Sequence, residues 1–342
     1  MKEKTNSLDI ADRAGVSQAT VSRALRGSPL VSRETRLRIE AIARELNYKV
    51  DKSASNLRTQ RSKTLALLLF EDPTSDDSQI NPFFLSMLGS ITRACAEVEY
   101  DLLVSFQQLS QDWQADYENC HRADGLILLG YGDFVEYRSR LEGMIERGAH
   151  YVRWGPSAPD GLGLSIGCDN RHGGREMTEH LLAQGRRRIA FLGQATNNYP
   201  EFLDRYLGHT QALQAAGITP DPALQADAIT TESSGYEAAQ KLLDEGVRFD
   251  AIFAASDLIA IGAMQALEDA GLQVPGDIAV AGFDDIPAAG FVRPRLTTVR
   301  QDTQQAGRIL VASLIKQISE EPVSNQAIMP RLIVRNSCGA SS

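Results

Sequence analysis

Leu8 to Gly27, near the N-terminus, constrains the fold more tightly than any other stretch. It reads Leu-Asp-Ile-Ala-Asp-Arg-Ala-Gly-Val-Ser-Gln-Ala-Thr-Val-Ser-Arg-Ala-Leu-Arg-Gly. Ile10, Ala11 and Ala14 put apolar atoms on one face of a short helix. Gly15 sits where the chain must turn sharply, a conformation that costs glycine least. Val16 fills the corner, and Ser17 is placed to cap a second helix by accepting from its free N–H groups. Val21 and Ala24 point back at the first helix, and the small Ala11 lets the two cross closely. The spacing predicts a helix-turn-helix, an arrangement whose second helix enters the major groove of DNA. A third helix is predicted over Ser32–Asn47, capped by Ser32 and closing the core with Ile39, Ile42, Ala43 and Leu46. Arg33, Arg36, Arg38 and Arg44 lie largely off that stripe, on phosphate or on solvent.

Charge is partitioned along the 342 residues. Residues 1–63 carry 14 Lys or Arg against 7 Asp or Glu, a net of +7. The remaining 279 carry 21 against 37, a net of −16. A basic head on an acidic body implies that only the head meets a polyanion. Between them, Tyr48 to Lys63 is polar and basic, with Ala54 and Leu57 its apolar residues after Val50. A helix that short is marginal in water and folds when it meets DNA and a second copy of itself.

Beyond Lys63 the pattern changes to apolar strand runs separated by helical stretches. The strands are Thr64–Phe70, Tyr100–Phe106, Gly125–Gly130, His150–Trp154, Arg188–Gly193, Ala251–Ser256, Asp277–Phe283 and Thr297–Gln301. Helices are read at Leu85–Val98, Gly173–Gln184, Tyr206–Ala216, Gly235–Glu245 and Leu258–Ala270. The alternation predicts parallel sheets covered by helices, in two lobes that divide near Gly155–Gly163.

These residues resemble the lactose-repressor/galactose-repressor family of bacterial transcription regulators. The resemblance rests on Asp9-Ile10-Ala11, Ala14-Gly15-Val16-Ser17, Thr20-Val21-Ser22-Arg23, Val31-Ser32, Thr35, Glu45-Leu46-Asn47-Tyr48 and Ala54 with Leu57, and it continues through nearly the whole chain. It implies an all-α helix-turn-helix head (1–49) and a hinge helix (50–63). These lead to an α/β two-lobed body resembling a periplasmic binding protein. Lobe one takes 64–163 plus 296–326, and lobe two takes 164–295 plus 327–342. It implies base reading by Gln18, Ala19 and Arg23, since Gln suits adenine, Arg guanine and a methyl group thymine. Ser17, Thr20 and Ser22 fall on phosphates. Leu57, with Ala54 beside it, matches a wedge that opens a base step in the minor groove. Two heads on a homodimer would read a pseudo-palindromic operator, with half-sites about one turn of DNA apart.

The same resemblance implies a small-molecule effector, most commonly a sugar, clamped between the lobes. The candidate contacts are Phe83, Phe84, Trp154, Arg205, Asp257 and Asp284. A guanidinium and carboxylates pair with hydroxyls, and an aromatic face stacks on a pyranose. Each has a plainer alternative: helix cap for Asp257, turn residue for Asp284, surface ion pair for Arg205, core for the aromatics. The chain departs from the family pattern in the acidic segment Glu71–Gln79 and in Thr230, where sugar-binding members often carry a bulky aromatic. Control by a partner protein, or by a non-sugar corepressor such as a nucleobase, is the alternative.

No catalytic residue, cofactor or metal is expected. The five histidines show no metalloprotease spacing, and no phosphate loop is present. Gly161-Leu162-Gly163 precedes a strand, the wrong context for a dinucleotide loop. Cys95, Cys120, Cys168 and Cys338 are scattered, as buried reduced thiols would be. No apolar run approaches the about 20 residues of a membrane helix, and Met1–Ser7 lacks the apolar core of a secretory signal. A cytoplasmic, nucleoid-associated protein is expected.

Overall fold

A computed structural model of the chain describes residues 6–25, 27–46, 48, 61–70, 80–106, 112–130, 134–156 and 161–340. Ala54 and Leu57 of the hinge, and the acidic segment 71–79, lie outside the described residues. The chain divides into two compact units, Met1–Ser62 and Lys63–Ser342.

Among its described residues the first unit contains three helices, α1 (Ser7–Ala14), α2 (Gln18–Leu25) and α3 (Arg33–Glu45). A capping box starts α1. Asn6 Oδ1 accepts from the N–H groups of Leu8 and Asp9, and Asp9 Oδ2 accepts from the Asn6 N–H at 2.7 Å. Gly15 ends the helix at φ +62°, the left-handed conformation expected of it. Ser17 and Ser32 cap α2 and α3, each hydroxyl accepting from the backbone three residues on at 3.2 Å. The core consists of Ile10, Ala11, Ala14, Val21, Ala24, Val31, Ile39 and Ala43, with Val16, Ile42 and Leu46 half-buried around it.

Among its described residues the second unit contains two six-stranded sheets. The first has the order β2-β1-β3-β4-β5-β11, from β1 (Thr64–Leu69), β2 (Asp101–Phe106), β3 (Leu126–Leu129), β4 (Tyr151–Trp154), β5 (Leu164–Cys168) and β11 (Gln326–Ile328). All its pairings are parallel. The second has the order β7-β6-β8-β9-β10-β12, from β6 (Ile189–Leu192), β7 (Gln225–Ala226), β8 (Ala251–Ala254), β9 (Ala279–Asp284), β10 (Thr297–Arg300) and β12 (Arg331–Ile333). Only β12 there runs antiparallel, against β10. The helices are α4 (Pro82–Glu97), α5 (Phe134–Glu146), α6 (Asn170–Ala183), α7 (Pro200–Ala215), α8 (Glu232–Asp244), α9 (Asp257–Asp269) and α10 (Thr303–Ile318).

The strand pairing corrects the lobe boundaries read from the sequence. Leu164–Cys168, assigned to lobe two, pairs with β4 in the first sheet. Thr297–Arg300, assigned to lobe one, pairs with β9 in the second. Ala327 and Ile328, assigned to lobe two, pair with β5. The return to lobe one is made by α10, which packs on α4. A strand buried on both faces shows no alternation, so local sequence cannot say which sheet it joins. The thiols need one correction as well: Cys120 is exposed, while Cys95, Cys168 and Cys338 are buried.

In lobe two, α6 crosses α7, and α8 crosses α9, through facing glycines. A Cβ on Gly174 would lie 2.1 Å from the Arg205 carbonyl oxygen, and one on Gly208 2.1 Å from that of Arg171. Gly235 and Gly262 face Ile259 and Glu232 in the same way. Backbones this close set the height of Arg205 on α7.

Candidate functional sites

On α2, Val21 and Ala24 are buried while Ser17, Gln18, Ala19 and Arg23 are exposed and Thr20 and Ser22 half-buried. The three residues expected to read bases, Gln18, Ala19 and Arg23, are thus exposed, while of those expected on phosphates Ser17 is exposed and Thr20 and Ser22 are half-buried. Ser17 spends its hydroxyl on the cap and on Thr20 Oγ1 at 2.9 Å. Gln18 Nε2 donates to Ser7 Oγ at 2.8 Å. Arg36 donates to the carbonyls of Gly27 and Ser28, so its guanidinium holds the loop before α3. Arg44 bonds back to the Glu40 carbonyl. Arg33 and Arg38 are exposed.

In the body, a cavity of about 250 Å³ lies between α4 of lobe one and the Asp284–Gly290 segment of lobe two. Phe83 and Ser86 form one wall, and Asp284, Asp285, Arg300, Gln301 and Arg335 supply the polar groups of the other. Asp284 and Asp285 both have positive φ, 114° and 57°. Such strain persists only where the surroundings over-determine it. Here Asp285 accepts from Arg300 Nε at 2.6 Å and Arg335 Nη2 at 2.5 Å. Asp284 accepts from Gln301 Nε2 at 2.6 Å and lies 3.6 Å from Arg205 Nη1.

Arg205 is fully buried. Its Nε donates to Asn170 Oδ1 at 2.8 Å and Nη1 to the Ala255 carbonyl, while its plane lies 3.8 Å from the centre of the Phe283 ring. Burial pushes the Asp284 carboxyl up to about 6, against the opposing pull of Arg205 and Gln301. Its ordinary value is 3.8, so the folded chain holds more protons than the unfolded one between these limits. This group's contribution to stability therefore falls as pH rises through that window. Wild type is expected to gain stability relative to Asp284→Asn as pH is lowered from about 7 to 4. Urea titrations across that range check this, and a flat or reversed difference would refute the assignment.

Not every expected contact faces the cavity. Asp257 is fully buried, and both oxygens are used: Oδ2 accepts from the Ile286 N–H at 2.8 Å and Oδ1 from the Thr298 hydroxyl. It is a strut under the Gly282–Asp285 turn, and Ser256 is the cap of α9. Burial, then the nearby Asp284 charge, pushes its carboxyl well up. Phe84 lies in the lobe-one core, edge-on to Phe83. Trp154 is buried 6.2 Å from the Phe83 ring, so Phe83 is the aromatic on the wall.

Two charged residues unremarked in the sequence are buried nearby. Arg153 on β4 and Glu201 in the first turn of α7 come from opposite lobes. A Cβ placed on Gly155 would lie 3.0 Å from Arg153 Nη1 and 3.6 Å from Glu201 Oε1. Burial raises the Glu201 carboxyl, with the charges of Arg205 and Arg153 pulling it back. The signal available was Arg153 itself, a charge inside an apolar strand run. Among the described residues no cluster of metal-ligating side chains is present, and no helix is long and apolar enough to cross a membrane.

Residues 8–51 match the bacterial regulatory proteins of the lacI family, and residues 178–338 match the periplasmic binding protein-like domain. The HTH-type transcriptional regulator RegA of Clostridium saccharobutylicum is 32% identical over 97% of this chain and 99% of its own length. Among solved structures, a complex of the transcriptional regulator CelR with cellobiose is 29% identical, with a TM-score of 0.73 over 97% of this chain and 99% of that one. The lac repressor dimer bound to operator and the anti-inducer ONPF is 25% identical, with a TM-score of 0.84 over 99% and 100%.

Proposed function

The chain belongs to the lacI family of bacterial regulatory proteins, and we propose from that premise that a sugar held between its lobes controls its grip on an operator. It is a DNA-binding transcriptional regulator whose head is a helix-turn-helix and whose body is a two-sheet binding domain. In this reading two copies act together as a repressor in the cytoplasm, each inserting α2 into one half-site of a pseudo-palindrome. Gln18, Ala19 and Arg23 read base edges, while Ser17, Thr20 and Ser22 lean on phosphates. Leu57, with Ala54, wedges the minor groove at the centre.

The observation that carries the effector half is the wall of the interlobe cavity. Asp284 brings an acceptor, Gln301 an amide and Arg300 a fork of donors, facing the ring of Phe83. That combination matches hydroxyls on a ring with an apolar face. The cellobiose complex of CelR supports the class of ligand, and the operator-bound lac repressor supports the class of target. A sugar that binds the two lobe arrangements unequally shifts the equilibrium between them; equal affinity would shift nothing.

Gel-shift of genomic fragments with mono- and disaccharides titrated in tests both halves. Release, or recruitment, of a fragment by a sugar supports the reading. Response only to a nucleobase or to an added protein would replace the effector. Arg23→Ala is expected to cost about 1–3 kcal/mol at one base position of each half-site. Loss spread evenly over all sequences would remove Arg23 from base reading.

A further inference from the structure

We propose that Ser7 sets which base Gln18 reads, by holding its side-chain amide in one orientation. The inference rests on the reading above that Gln18 meets a base edge. Ser7 lies at the first position of α1 and Gln18 at the first position of α2, and the Gln18 Nε2 donates to Ser7 Oγ at 2.8 Å. Ser7 is not needed as the cap of α1. Asn6 and Asp9 do that work with a complete capping box, which also fixes the turn that carries Ser7. The Ser7 hydroxyl is therefore spent on a side chain of another helix, across the turn of the motif.

The consequence is chemical. A free glutamine amide offers two N–H donors and one acceptor, and turns about its last torsion at little cost. With one proton given to Ser7, it keeps one donor and one acceptor in a fixed plane. That pair complements the N7 acceptor and N6 donor of adenine. Guanine presents two acceptors, N7 and O6, on the same edge. The pinned amide would meet one of them with its carbonyl oxygen, so the Ser7 bond selects adenine by penalising guanine as well as by matching adenine. Fixing a long side chain before contact also removes part of the ordering cost of binding.

The test uses the full-length protein and a pool of duplexes with randomised half-sites, selected by binding and sequenced. Wild type is expected to enrich adenine at one position per half-site. Ser7→Ala is expected to lower the adenine-to-guanine ratio there by about fivefold or more, with the position read by Arg23 unaltered. Ser7→Thr, which keeps the hydroxyl, restores the ratio. Thermal melting of Ser7→Ala checks that the head remains folded; a role confined to helix stability would weaken all positions together. An undiminished adenine preference in Ser7→Ala, alongside a flattened one in Gln18→Ala, overturns this inference alone. An undiminished preference in Gln18→Ala overturns base reading by Gln18, and this inference with it.

Discussion

Replacing Arg205 by alanine is expected to destabilise the body by roughly 3–5 kcal/mol, the range for removing one partner of a buried ion pair. The side chain is fully buried, and Nε and Nη1 of its fork are committed to Asn170, Ala255 and Asp284. Its removal leaves Asn170 Oδ1 and the Ala255 carbonyl without a donor and uncovers the face of Phe283. It also leaves Asp284 without its counter-ion at 3.6 Å. The carboxyl already sits at about 6, so it will respond by taking a proton, which limits the loss near neutrality and makes it grow as pH rises. Adding Asp284→Asn to Arg205→Ala is expected to recover part of the loss, because a neutral amide needs no counter-ion. Urea unfolding of the full-length chain at pH 6 and pH 8 checks both statements. A cost under about 1 kcal/mol at both would show that the pair does not hold the lobe-two site together.

Gly208→Ala is expected to be comparably severe for a different reason. The added methyl would lie 2.1 Å from the Arg171 carbonyl oxygen and 2.8 Å from the Arg175 nitrogen. Both are backbone atoms, so no rotamer change relieves the clash and α6 must move off α7. Overpacking of this kind typically costs about 1–3 kcal/mol, occasionally more, and here the upper end applies because rigid backbone is opposed. The displacement also carries Arg205, one turn earlier on α7, away from Asp284. Ligand response is therefore expected to weaken even where the variant remains folded. A Gly208→Ala protein with unchanged stability would mean that the helices separate freely at this crossing.

The head was legible because its determinants are local. Gly15 in the left-handed region and the caps at Ser17 and Ser32 are set within three or four residues of sequence. In the body, three helices begin three residues before their expected starts: at Pro82 instead of Leu85, Asn170 instead of Gly173 and Glu232 instead of Gly235. Their first turns are signalled by caps at Asn81, Asp169 and Thr231, while apolar periodicity begins only later. Leu164–Cys168 shows in the sequence only as the strand that Gly161-Leu162-Gly163 precedes, and not as an apolar run, because Ser165 and Gly167 interrupt it. The site was half legible. Asp257 and Asp284 both follow strands and precede turns or helices, and only the fold shows that one faces the cavity and the other braces the turn behind it. Arg153 and Glu201 stand about fifty residues apart in sequence, and nothing local joins them.

The central claim is that sugar in the interlobe cavity and DNA at the head are thermodynamically coupled. The measurement is the operator Kd of the full-length protein with and without a saturating sugar, in wild type and in Asp284→Asn. The coupling predicts a shift of about tenfold or more in wild type, mirrored by an equal shift of the sugar's own Kd when operator is added. It predicts no shift in the variant, whose operator Kd without sugar stays at the wild-type value. A wild-type operator Kd that does not move while the sugar is demonstrably bound would contradict the account.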